Sequence, residues 1–141
     1  MLKKVLVGMV VSAGIVSSLG AETLKYDMTV LYNNFASLQR SYFLNDKDQA
    51  MRLLADLKMN THRILGDEKK VIGLLPKGLK DRSKIATTSG RLINEYISEI
   101  EAIYYNKNLN AIQAEVQAQK ALTNIQVQCY KCHNLVRDWK R

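Results

Sequence analysis

The sequence predicts an all-α fold, an antiparallel up-down-up-down four-helix bundle. Four stretches carry apolar residues at alternating spacings of three and four, which is the period of an amphipathic helix. The 141 residues include one proline and seven glycines, too few for the many tight turns of a sandwich or barrel. No stretch alternates between apolar and polar residues over the length of a strand.

The amino terminus has the pattern of a secretory signal. Met1-Leu2-Lys3-Lys4 precedes an apolar run over residues 5–19 that is short for a membrane-spanning helix. Small residues near its end predict cleavage after Gly20 or after Ala21. We therefore expect a signal peptide over 1–21, a mature domain over 22–141 and a periplasmic location, with an uncleaved anchor as the alternative.

The first two helices are predicted from their stripes and caps. The first follows Thr23 as a candidate N-cap and keeps one apolar stripe to Tyr42. The second begins after Asp46 and ends at Gly66, a residue that commonly stops helices.

Residues 67–80 contain Pro76 and two glycines, so they are predicted to be a connecting loop. The third helix is expected from about Ser83 to Ile103. After a short polar turn, the fourth is expected from about Leu109 towards Trp139. The fourth helix therefore includes residues 129–133, which contain both cysteines and a histidine.

That segment reads Cys129-Tyr130-Lys131-Cys132-His133, the C-x-x-C-H pattern of covalent haem attachment. Two thiols at this spacing form thioether bonds to one haem, and the adjacent imidazole becomes an axial ligand of its iron. Both cysteines of the chain are used, so we expect one haem c per chain, with Cys129 and Cys132 as attachment points and His133 as the iron ligand.

Other interpretations of the two cysteines need partners that the sequence scarcely offers. Half a zinc site would lack a second pair, with only His62 to help. A thioredoxin-like redox pair needs a strand-to-helix turn, whereas this pair lies late in a helical stretch. A local disulfide remains an alternative.

A signal peptide, four helices and one C-x-x-C-H on the last helix resemble the cytochrome c′ family. Arg137 stands four residues after His133, as in many members, and the first helix opens with Lys25-Tyr26-Asp27 where members often read Lys-Tyr-Arg. Val136 replaces the usual aromatic before the arginine. The resemblance implies a homodimer, Arg137 as a haem-pocket residue and Leu31 at the apolar distal position.

The bundle topology indicates what surrounds the haem. The end of the fourth helix should meet the start of the first, the end of the second and the start of the third. We expect three sets of walls: Met28, Leu31, Tyr32 and Phe35; residues 59–65; and residues 85–92. Met51 falls at the opposite end, and His62 is expected on a polar rim. Candidate partners for the haem propionates are Arg63, Arg82, Lys84, Arg91 and Arg137.

The sixth iron position separates two functions. A thioether from Met28 would give a low-spin iron suited to electron transfer. Leu31 would leave iron five-coordinate and open to nitric oxide or carbon monoxide, and the resemblance favours this arrangement, with Met28 as packing.

The formal net charge of +8, or +6 without the signal peptide, predicts acidic redox partners. No phosphate loop, nucleophile motif or convincing carboxylate pair points to an enzyme. Dispersed lysines do not favour nucleic acid. The remaining class is a non-haem helical interaction module with a local disulfide.

Overall fold

The computed structural model describes residues 15–136, with side chains from residue 23 onward except that of residue 135, and its described part forms five α-helices and one 3₁₀ helix. In chain order these are α1 (Ile15–Phe43), α2 (Lys47–Leu65), α3 (Glu68–Leu74), a 3₁₀ helix (Lys77–Arg82), α4 (Ser83–Tyr105) and α5 (Ala111–Val136). No strand occurs within this range, which confirms the predicted all-α class. Residues 1–14 of the expected signal peptide, Arg137 and Trp139 lie outside the described residues.

Side-chain caps explain where α2 and α5 begin. Asn45 has a positive φ of 55° and turns the chain sharply after α1. Asp46 Oδ1 then accepts a hydrogen bond from the Gln49 backbone N–H at 3.0 Å. Asn110 and Gln113 each accept from the other's backbone N–H, at 2.9 and 3.1 Å, a reciprocal capping arrangement. Both helices therefore begin where short polar side chains replace missing backbone partners.

Two sequence predictions about helix limits were wrong. Thr23 lies inside α1, which begins at Ile15, so it is not an N-cap. Residues 67–80 are not a simple loop, because Asp67 Oδ1 accepts from the backbone N–H groups of Lys69 and Lys70 and starts α3. The fourth long helix begins at Ala111, two residues after the expected Leu109.

The long helices pack in a chain of neighbours: α1 against α2, α2 against α4, and α4 against α5. Short α3 packs on α1, α2 and α4. Across α1 and α2, Asp27 pairs with Arg63 at 3.1 Å, and Asn34 accepts from Asn60 at 3.0 Å. Within residues 15–136 no helix combines the length and apolar composition needed to cross a membrane.

The buried apolar residues form two clusters. The main core lies between the long helices; its members are Phe35, Leu38, Tyr42, Ala50, Leu54, Leu57, Ile93, Ile97, Ile100, Ile103, Ala118, Ala121 and Ile125. The second, smaller core joins α3 to the ends of the long helices and is called the cavity-end core, after the cavity described in the next subsection. Its members are Ile64, Leu65, Val71, Leu75, Ala86, Cys132 and Val136.

Helices α2 and α4 approach closely at Gly90, which is buried. A Cβ atom at this position would lie only 2.6 Å from the Cβ of Leu65. The absence of a side chain at Gly90 therefore leaves the room that Leu65, a member of the cavity-end core, needs to pack against α4.

Candidate functional site

An apolar cavity of about 460 Å³ opens beside the carboxyl end of α5. Its lining comes from five elements of the fold and consists of Leu24, Lys25, Met28, Thr29, Tyr32, Leu65, Val71, Leu75, Pro76, Ala86, Cys132, His133 and Val136. Its volume lies within the range of about 300–1,000 Å³ that is typical of small-molecule and cofactor sites.

The C-x-x-C-H segment lies on the last two turns of α5. Residues 129, 132, 133 and 136 follow the spacing that places side chains on one helical face. Cys132 is buried and lines the cavity together with His133, whose side chain is also exposed to solvent. Cys129 lies one turn earlier, is half-buried against the main core and is not part of the cavity lining.

Both cysteines are free thiols, Cys129 half-buried and Cys132 buried. Burial raises the pKa of Cys129 and that of Cys132 to about 11. A redox-active dithiol needs a lowered thiol pKa, so this environment does not favour that chemistry. The residues described include no group of three or more histidine, cysteine, aspartate or glutamate side chains arranged to hold a metal ion.

The structure separates the two candidates for the distal side. Met28 lines the same cavity as His133. Leu31, one turn later on α1, is half-buried and packs against both cores, outside the cavity lining. Tyr32 lines the mouth and is 68% exposed. The thioether, rather than the leucine side chain, therefore faces the space beside the imidazole.

An ion pair lies beside the wall of the cavity that α1 forms with Met28. The Asp27 side chain is only 5% exposed, and its Oδ1 lies 3.1 Å from Nη1 of Arg63, which is 46% exposed. Asp27 precedes Met28 directly, so this pair fixes α1 against the end of α2 beside the cavity. It also occupies Arg63, one of the residues expected to contact the haem propionates.

The other expected wall and propionate residues are distributed over the fold. Phe35 belongs to the main core, and Met59 is 62% exposed. Met51, which was expected away from the haem, packs against the main core. Exposed His62 lines a separate groove between α2 and α4. Arg91 pairs with Glu95 on its own helix.

Sequence reasoning missed one whole wall, formed by Val71, Leu75 and Pro76. The wall belongs to residues 67–80, where the glycines and the proline favoured a loop. The i, i+4 spacing of Val71 and Leu75 after a capping Asp67 is the signal that would have revealed it.

The donors present suit a covalently attached haem. Cys132 and His133 border the apolar cavity from α5, Met28 borders it from α1, and Cys129 lies one turn before Cys132 on the same face of α5, outside the cavity lining. Comparison with known proteins finds no match among family models, curated proteins or solved structures.

Proposed function

We propose that this chain is an exported monohaem c-type cytochrome that transfers single electrons. The observation that carries the proposal is the shared cavity: Cys132 and His133 of the attachment motif line it together with Met28 from another helix. Cys129 and Cys132 would hold the haem through thioether bonds, and His133 would ligate its iron. The haem, when bound, supplies a one-electron couple.

The apolar lining supports a redox role. Leu24, Val71, Leu75 and Val136 give the cavity a largely apolar lining, and an apolar shell tunes the reduction potential of a centre bound within it. Met28 would provide the second axial ligand. A histidine–methionine pair raises the reduction potential of a haem, so we propose electron transfer ahead of gas binding.

The finer fold assignment is part of the same proposal. Along α1 and α2, contacts join residue 27 to 63 and residue 34 to 60. Between α2 and α4, Lys58 Nζ lies 2.8 Å from Glu101 Oε2, and Leu65 lies beside Gly90. In each of these two helix pairs, residue numbers rise along one helix as they fall along the other. This supports an antiparallel four-helix bundle to which the short helix α3 is added. The resemblance to cytochromes c′ supports this bundle as a homodimer.

The first experiment is mass spectrometry of the chain matured in a bacterial periplasm. We expect one haem per chain that survives acid–acetone extraction, and loss of this property when Cys129 and Cys132 are both replaced by serine. A polypeptide without haem under these conditions would overturn the proposal and favour the interaction module.

The axial ligands are tested by spectra of two histidine variants. His133→Ala should change the Soret band and respond to added imidazole. His62→Ala is the matched control, because His62 is the only other histidine and lies outside the cavity, and its spectrum should match the unmodified protein. An unchanged spectrum in His133→Ala would show that iron is held by other residues.

The distal side is tested by Met28→Ala against Leu31→Ala. We expect a low-spin spectrum with a sulfur-to-iron charge-transfer band that disappears only in Met28→Ala. A high-spin unmodified protein that binds nitric oxide or carbon monoxide would instead establish the gas-binding function.

A further inference from the structure

Helix α5 carries few charges for a helix at the surface of a basic protein. Three of its 26 residues are lysine, arginine, aspartate or glutamate, against six of 19 in α2 and five of 23 in α4. Within the described residues its main contacts are with α4 and the 3₁₀ helix. Much of the circumference of α5 is therefore open, although it lacks the charged side chains that usually cover an open face.

The open side of α5 presents a continuous uncharged stripe. Successive residues of a helix are rotated by about 100°, which places six exposed side chains within a sector of about 80°, opposite the buried Ala118, Ala121 and Ile125. Its four apolar members are between 51% and 78% exposed. An exposed apolar surface of this kind commonly marks an interaction site. The members of this α5 stripe are Ile112, Val116, Gln119, Thr123, Val127 and Tyr130.

The stripe is symmetric along the helix. Positions 112 and 130, and likewise positions 119 and 123, are centred on residue 121, whereas positions 116 and 127 are centred between residues 121 and 122. Two copies of α5 packed antiparallel about this point bring Val116 of each copy level with Val127 of the other. A surface that is complementary to itself in this way is suited to a two-fold pair of identical chains.

The charged residues of α5 are compatible with the same register. Lys120 comes level with Thr123 of the second copy and Lys131 with Ile112, so neither lysine is level with another lysine. Each chain has a formal net charge of +8, so two copies repel one another at long range. The uncharged stripe is a surface on which no pair of like charges adds to this repulsion.

The size of the stripe sets the strength of the pairing. From residue 112 to residue 130 it is about 27 Å long, and a helix with its side chains is about 10–12 Å wide. The footprint is therefore about 300 Å², whereas a stable interface takes about 800 Å² from each partner. We expect a reversible dimer that forms at roughly 10–1,000 μM protein.

We infer that the α5 stripe is a self-association surface on which a second copy of this chain packs antiparallel. The inference goes beyond the proposed function, since it assigns a surface to the proposed homodimer and does not depend on haem. No member of the stripe lines the cavity. The two copies of His133 lie at opposite ends of the pair, about 35 Å apart along the helices.

The test exchanges charges across the expected pairing. Val116→Glu and Val127→Lys each place a charge level with an apolar residue of the second copy. The double variant places the new carboxylate level with the new ammonium group and leaves the net charge unchanged. In sedimentation velocity of the full chain, each single variant should weaken self-association about tenfold or more, and the double variant should associate about tenfold more tightly than either.

Met59→Glu is the matched control. Met59 is 62% exposed on α2, outside the stripe, and its replacement changes the net charge as Val116→Glu does, so self-association should stay unchanged. In NMR of the isotope-labelled chain, concentration-dependent shifts should cluster on residues 112–130. Added salt should not weaken the dimer, because the stripe is uncharged.

Three results would overturn the inference: a monomer at every concentration, equal losses in Met59→Glu and Val116→Glu, or a double variant that associates more weakly than both single variants. A monomer that binds phosphatidylcholine vesicles through the stripe would overturn it in favour of a lipid surface. A chain that self-associates through α5 yet never acquires haem contradicts the proposed function alone. A haem-loaded chain that stays monomeric contradicts the self-association surface alone.

Discussion

Replacing Gly90 by alanine tests the close approach of α2 and α4. The new Cβ would lie 2.6 Å from the Cβ of Leu65, whereas carbon atoms in contact are normally about 3.5–4.0 Å apart. Neither atom can move by rotating a side chain, so the two helices must separate by about 1 Å. Overpacking of this kind costs about 1–3 kcal/mol. Alanine regains about 1 kcal/mol of helix propensity, so we expect a net loss of about 0–2 kcal/mol.

Gly73→Ala is the matched control. Gly73 is exposed within α3, and a Cβ there meets no atom within 4 Å. The same chemical change should therefore stabilise the fold by about 0.5–1 kcal/mol. Urea unfolding followed by circular dichroism should separate the two variants by about 2 kcal/mol in the free energy of unfolding.

The variant at Gly90 should also disturb the site, because Leu65 lines the cavity. The Soret band of the haem-loaded protein should shift in Gly90→Ala and stay in place in Gly73→Ala. Equal stabilisation by both substitutions would refute the reasoning, since it would mean that α2 and α4 have room for a methyl group.

Three further predictions concern single groups. Arg63→Met should destabilise the fold by about 1–3 kcal/mol in urea unfolding, because it leaves the buried Asp27 carboxylate unpaired; combining it with Asp27→Asn should recover part of this loss, and a purely additive cycle would contradict the pair. In a chain prepared without haem, the thiols of Cys129 and Cys132 should react with iodoacetamide about a hundredfold more slowly at pH 8 than ordinary cysteines, since burial raises the pKa of each from 9.0 to about 11. The rate should rise as pH approaches 11, and fast reaction at pH 8 would contradict the buried placement. Thr61→Val should raise the free energy of unfolding by about 1 kcal/mol, because it removes a buried hydroxyl that has no hydrogen-bond partner among the described residues; a loss of stability would show that the hydroxyl is satisfied.

Helix limits were predictable where a short polar side chain or a glycine marks them. Asp46 and Gly66 bound α2 as expected, and α4 begins at the predicted Ser83. The segment 67–80 was misassigned because Gly73, Pro76 and Gly78 outweighed a single capping carboxylate. Packing of Val71 and Leu75 against the long helices stabilises α3 despite its length of seven residues. The local sequence does not reveal this packing against distant helices, so α3 was not predicted.

The shared helical face of the motif residues was predictable from the sequence, and the walls of the cavity only in part. The spacing of Cys129, Cys132 and His133 is local, so the sequence indicates which donors share a face. Met28 and Leu31 lie about one turn apart on α1, so helical spacing places both at nearly the same level of the bundle. Which of the two side chains faces the cavity depends on the rotation of α1 about its axis. The rotation is set by distant contacts such as the pair between Asp27 and Arg63, which no spacing rule specifies.

The two-part core has a consequence for the maturation of the protein. None of the thirteen residues of the main core lines the cavity, whereas six of the seven residues of the cavity-end core do. The main core therefore packs independently of this cavity, while the cavity end borders an open space and opens at a lower free energy. Under the proposed function, an attachment enzyme would meet a chain whose far end is already ordered and whose Cys132 becomes accessible by local opening. Insertion of the haem would then be the last step of folding, and it would close the cavity end.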